Sequence, residues 1–161
     1  MPSYLWPFPR SRMIPILLSI LSYDIWFYIS HLILHMPAFY VYHKQHHRAV
    51  RPTFIDTYDA SHVENVLQGI GMFFPYVVLR YTVLDTVLIL CILNVRGVLR
   101  HDEQGVALVG DHHLVHHREP SYNFGEPWID TLCGTSRAAA ARATTASHNV
   151  NYDLPHSTRP A

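Results

Sequence analysis

Charge is what this sequence has least of. Asp, Glu, Lys and Arg make up 15% of its 161 residues, against roughly 25% in an ordinary soluble domain. Twelve basic residues balance twelve acidic ones, so the net charge at pH 7 is zero. No basic patch marks a nucleic-acid partner. Cysteine is almost absent. Cys91 lies in an apolar run and Cys133 stands alone, which leaves neither a disulfide framework nor a paired-cysteine zinc motif. A reducing, cytosol-facing environment fits that usage. There is no glycine-rich phosphate loop, and the scattered serines form no nucleophile elbow. A Ser/His/Asp hydrolase is therefore not indicated.

Histidine, by contrast, is abundant, with 13 residues. Nine of them fall in three tight groups: His31 and His35; His43, His46 and His47; and His112, His113, His116 and His117. Positions i, i+3 and i+4 share one helix face. The spacing thus predicts that His31 and His35 point one way. It predicts the same for His43, His46 and His47, and for His113, His116 and His117. Solvated surface does not explain three such faces, and a pH sensor would not need such regular spacing. Neutral imidazole is the commonest protein metal ligand and suits iron, zinc and copper. With His62 and His101 added, the chain offers about ten ligands, more than a single ion needs. Two metals is the economical count. A nitrogen-rich dinuclear site without an evident carboxylate ligand is compatible with iron that activates dioxygen.

The length fits one domain, and 49% apolar composition with few charges favours a membrane protein. Residues 1–12 are a Pro-rich, aromatic N-terminal segment. Residues 13–135 carry the main domain, and 136–161 read as a flexible tail without a bulky apolar stripe. His148 and His156 in that tail are not expected to be ligands. Met13 to Ile33 is apolar and long enough to cross a bilayer. It has no small-residue cleavage site and runs straight into His31, which argues against a signal peptide. Asp24 within it is expensive in lipid and should face protein. Residues 36–61 read as a helix carrying the second histidine group, then a loop after Pro52. From Val63 to about Leu99 a second apolar stretch is broken by Pro75, Arg80 and Asp85. It reads as a helical hairpin, roughly 63–79 and 82–98, or as one tilted span with an interfacial helix. The hairpin is preferred because it returns the chain to the side it left. Arg10 and Arg12 lie before the first span and Lys44, Arg48 and Arg51 after it, so basic residues set no orientation.

The histidine groups resemble the histidine boxes of the fatty acid hydroxylase superfamily, which includes sterol desaturases and methyl-sterol oxidases. The resemblance runs from Asp24, Tyr28, His31 and His35 through His43-Lys44-Gln45-His46-His47 to Asp111-His112-His113 and His116-His117. Tyr122-Asn123-Phe124-Gly125 and Trp128 to Thr135 look like the family's closing stretch. It implies an all-α integral membrane protein, a helical stem under a cytosol-facing histidine-rich cap, multi-pass and in the endoplasmic reticulum if eukaryotic. It implies two iron ions, replaceable by zinc in purified protein, held by His31, His35, His43, His46, His47, His62, His101, His113, His116 and His117. His112 is expected to support from outside the ligand set. Dioxygen would hydroxylate or desaturate a lipid or sterol C–H, with electrons from NAD(P)H through a cytochrome b5-type carrier. Asp24, Asp56, Asp59, Glu64, Asp111 and Asp130 are candidates to orient the imidazoles, one or two of them in earnest. Departures from the family pattern are Leu32 in place of Arg, no Pro after His62 with Glu64 displaced by one, and no Asp between His113 and His116. Two other classes compete: a membrane metal-binding or transport protein, with ligands lining a path within its spans, and an inactive truncated homologue acting as a regulator.

Overall fold

The computed structural model describes residues 10–77 and 81–143, and these are all-α. The first helix, α1 (Arg10–Leu34), is the axis of the molecule. After it come α2 (Tyr40–His43), α3 (His62–Phe73), α4 (Val83–Arg100), α5 (Val106–Val109), α6 (His112–Arg118) and α7 (Pro127–Cys133). Short 3-10 turns punctuate the loops, notably His46–Arg48, Phe54–Tyr58 and Phe74–Val77.

Local sequence explains the helix starts. Ser61 accepts the Glu64 amide at the head of α3. Thr82 and Asp85 exchange side-chain and backbone bonds at the head of α4, a capping box. Pro127 opens α7, where its missing N–H is harmless, and Gly134 closes it at φ 72°.

Helices α3 and α4 each pack against α1 but barely touch one another. On α1, Gly71 of α3 lies so close to the Trp26 indole that any Cβ would collide with it. Trp26 also donates its indole N–H to the Leu67 carbonyl at 2.9 Å. The α1–α4 contact buries Tyr23, Ile89 and Leu93, with Phe27 and Met72 packed beside them. A second small core, Tyr28, Phe124 and Ile129, joins α1 to α7.

The outer faces remain apolar. Leu17, Leu21 and Ile25 of α1, Val66, Ile70 and Phe73 of α3, and Leu88, Ile92 and Val95 of α4 are all exposed. So wide an apolar surface is foreign to a soluble monomer. Among the described residues, α1 alone is long and apolar enough to cross a membrane (Met13–Leu34). The preferred hairpin appears as two separate helices. With 12 residues, α3 rises only about 18 Å, short of a bilayer core of about 30 Å.

Two expectations are corrected here. The second histidine group does not ride on one helix: α2 is four residues long and a separate 3-10 turn carries His46 and His47. Residues 137–143, expected in the flexible tail, are helical. Arg137 anchors them, pairing with Glu119 and donating its amide to Asn123. His148 and His156 lie outside the described residues.

Candidate metal centre

Nine of the ten predicted ligands converge at one end of the helical stem, in two sets. His31, His35, His43, His47 and His116 form one, and His46, His101, His113 and His117 the other. Within each set the ligand nitrogens all lie within 4.8 Å of one another. Helix α1 and the turn after it bring His31 and His35. His43 ends α2, His101 caps the end of α4, and α6 brings the last three.

The helical faces split rather than act as units. His43 and His47 join the first set and His46 the second. His113 and His117 join the second set and His116 the first. At about 100° per residue, i and i+4 stay within about 40° of each other on a helix, while adjacent residues diverge. His46–His47 and His116–His117 therefore straddle the two sets.

His62 does not reach either set. It is exposed at the first position of α3. The residue α3 contributes is Glu64, buried, with Oε1 2.8 Å from His43 Nδ1.

The hydrogen bonds fix which nitrogen of each ring is available. The Nδ1 of His31 donates to Phe124 O (2.5 Å), that of His116 to Tyr122 O (2.6 Å), that of His101 to Gly97 O (2.8 Å) and that of His117 to Ala49 O (3.0 Å). Carbonyls only accept, so in these neutral rings Nε2 carries a lone pair. Three of these Nε2 atoms, those of His31, His116 and His101, meet the Nε2 of other imidazoles in the same set. His31–His43 are 2.9 Å apart, His35–His116 and His101–His113 3.0 Å, and His116–His47 and His101–His46 3.1 Å. His117 Nε2 is buried without a hydrogen-bond partner. Between His31 and His43, whose Nδ1 atoms both have acceptors, two lone pairs meet and repel, and a shared cation relieves that.

Two sets of imidazole nitrogens, five in one and four in the other, each gathered within 4.8 Å, fit a pair of first-row transition metals.

Burial keeps these rings neutral. His35, His47 and His101 are pushed down to about 4 by burial, with neighbouring imidazoles adding to it for His35 and His47. His43, His46, His113, His116 and His117 are lowered for the same reason. In the unfolded chain each would protonate near about 6.5. The folded values lie below the unfolded ones, so between them the unfolded chain binds more protons. Stability of the metal-free protein is expected to be full above about pH 6.5 and to fall as pH drops towards 4. Thermal melting in detergent at neutral and acidic pH checks this. A melting temperature that holds or rises on acidification would contradict it.

Asp130 organises the closing stretch. Fully buried, it accepts the amides of Phe124 (2.9 Å) and Gly125 (2.7 Å), the Thr135 hydroxyl (2.6 Å) and His112 Nε2 (3.0 Å). Burial alone would raise its pKa, but these bonds hold it below the ordinary carboxylate value. His112 therefore meets Asp130 and no ligand imidazole. Asp24 does face protein, yet it pairs with Arg96 instead of a histidine. Asp56 caps its own turn through Thr53, and Asp59 meets Gln45 and Arg48.

Sequence reasoning overlooked Arg96 and Arg100. Arg96 lies 3.7 Å from Glu126, Arg100 pairs closely with Glu126, and Arg100 sits over the Phe27 ring at 5.7 Å. Their signal was a basic i, i+4 pair inside an apolar helix. The carbonyls of Ala49, Gly97, Tyr122 and Phe124 had no sequence signal, since any residue supplies one.

A cavity of about 230 Å³ reaches both sets. His31, His43, His46, His101 and His113 line one end, and Tyr23, Phe27, Met72 and Leu93 the other. A separate open groove reaches His35 between Pro37, Tyr40, Pro120 and Phe124.

Compared with known families, residues 16–135 match the fatty acid hydroxylase model. No curated protein and no solved structure matches. The family is metal-dependent, membrane-associated and oxidoreductase-like, in keeping with the two histidine sets and the apolar α1. The match spans most of the described chain and every convergent histidine, and the chain belongs to the fatty acid hydroxylase family.

Proposed function

We propose that the protein is a membrane-bound, dioxygen-dependent oxidoreductase that hydroxylates or desaturates a lipid or sterol C–H at a di-iron centre. The observation that carries this reading is the convergence of nine imidazoles, five of them lining the end of a cavity whose far walls are apolar. Irons held by these histidines supply the redox chemistry that reduces dioxygen, with electrons from NAD(P)H through a cytochrome b5-type carrier.

The chain's own residues do the rest. Five main-chain and carboxylate acceptors lock imidazole tautomers before any ligand arrives. Phe27, Met72 and Leu93 hold an alkyl segment and exclude water. Helices α3 and α4, which wall the cavity and barely touch one another, would leave a substrate a lateral route from the bilayer. In hydroxylation one oxygen atom enters the substrate and the other leaves as water. A transporter would line a path through its spans with ligands, whereas here they gather at one end.

Elemental analysis of detergent-purified protein tests the reading. About two metals per chain are expected. The His113→Ala, His117→Ala double variant should keep about one, because it guts only the four-histidine set, and His35→Ala, His116→Ala should do the same to the other. No stoichiometric metal in folded protein, even after anaerobic iron reconstitution, would sink it.

A further inference from the structure

Two glycines stand in the interiors of the helices that wall the cavity: Gly69 on α3 and Gly97 on α4. Glycine weakens a helix interior relative to alanine, so its presence needs a reason. Packing does not supply one. A Cβ at Gly69 would meet nothing within 4 Å, and one at Gly97 only the Thr57 methyl at 3.9 Å. Gly71 is the contrast, since it is required by Trp26. Nor does either glycine need a left-handed backbone, for the positive-φ glycines are Gly110 and Gly134.

Their position gives the reason. Gly69 lies five residues along α3 from Glu64, and Gly97 four residues before His101 on α4. At the helical rise, both sit about 6–8 Å from the metal level. Phe27, four residues before His31, lies at a similar depth on α1. Two missing side chains therefore widen the cavity within about two helical turns of the histidines, with the Phe27 ring as its third wall. Farther from the metals, Tyr23, Met72 and Leu93 close in.

We propose that Gly69 and Gly97 are specificity-determining residues that admit a lipid which is broad next to its reacting carbon, a fused-ring sterol rather than a straight acyl chain. The proposal rests on the oxidase reading above, and it deepens it by naming the substrate class. A flat ring system lies against Phe27 with its edges in the spaces the glycines leave. A single alkyl chain fills neither space and gains little from them.

The test is equilibrium binding of radiolabelled cholestanol and stearyl alcohol to the full-length protein in detergent micelles, with metal content measured on the same samples. The wild type is expected to prefer cholestanol. Gly69→Leu and Gly97→Leu should weaken cholestanol by about tenfold or more while stearyl alcohol changes by less than about twofold. Gly69→Ala should melt at a higher temperature than wild type yet bind cholestanol more weakly. Stability and affinity moving in opposite directions is not the mark of a purely structural glycine. Equal losses for both lipids, unchanged cholestanol binding in folded variants, or a wild-type preference for stearyl alcohol would overturn the assignment. The metal measurement judges the oxidase reading separately, whichever way the binding ratio falls.

Discussion

Replacing Asp130 with Asn is expected to lower the metal affinity of the five-histidine set by about 10- to 100-fold, the usual effect of losing an outer support, and to spare the four-histidine set. Asp130 touches no ligand. It holds the Phe124 and Gly125 amides, and the segment so held presents the Phe124 and Tyr122 carbonyls to His31 and His116. Both of those histidines belong to the five-histidine set. The second set takes its orientation elsewhere, from Gly97 and Ala49. Each carboxylate oxygen accepts one of these amides, so in the Asn variant one amide keeps its acceptor and the other meets an NH2 group that cannot accept. The 122–125 segment then loses one of its anchors, and the carbonyls it presents to the two imidazoles are less firmly placed. Anaerobic titration of metal-free protein against a competing chelator would show one step weakened and one preserved. Equal weakening of both steps, or of neither, would refute this role for Asp130.

Removing the Arg100 charge should act on stability instead. Burial lowers Arg100 to about 10, so it stays protonated at neutral pH. It pairs with Glu126 while stacking over Phe27. Arg100→Met leaves Glu126 half-answered by Arg96 at 3.7 Å, and breaking such a buried pair costs about 3–5 kcal/mol. The double variant Arg100→Met, Glu126→Gln removes both charges and should recover most of that loss. Denaturation of the wild type, the Arg100→Met and Glu126→Gln single variants and the double variant in a common detergent closes the cycle. A double variant no more stable than the single would show that the two side chains do not act as a pair.

How much of this was legible in the sequence depended on which groups carry identity. Histidine does, so nine of the ten candidate ligands named from spacing and resemblance are ones that converge in the structure. His62 misled because it sits at the first turn of α3, where two positions rotate a side chain from solvent to site; Glu64 faces inward. The sorting of ligands between the sets was not readable. Equal i+3 and i+4 spacings on α6 send His116 and His117 to different places, and the second histidine group turned out to straddle a short helix and a 3-10 turn. Of the carboxylates, Glu64 and Asp130 were among those foreseen as supports. That Asp130 works through main-chain amides was not, because backbone geometry leaves no trace in side-chain identity. The all-α class followed from the family resemblance, with the histidine spacing and apolar run lengths consistent with helices. The splay between α3 and α4 was not, since it depends on how each helix seats on α1.

The pairs His46–His47 and His116–His117 have one more consequence. In each pair a single peptide unit links a ligand of one set to a ligand of the other. A peptide unit is planar and nearly inextensible. The two sets are therefore tied at two points, one on the 3-10 turn and one on α6, where the paired Cα atoms stay about 3.8 Å apart. Only rotation of the histidine side chains can change the spacing between the sets at these junctions, so two short covalent tethers limit how far one set can move from the other.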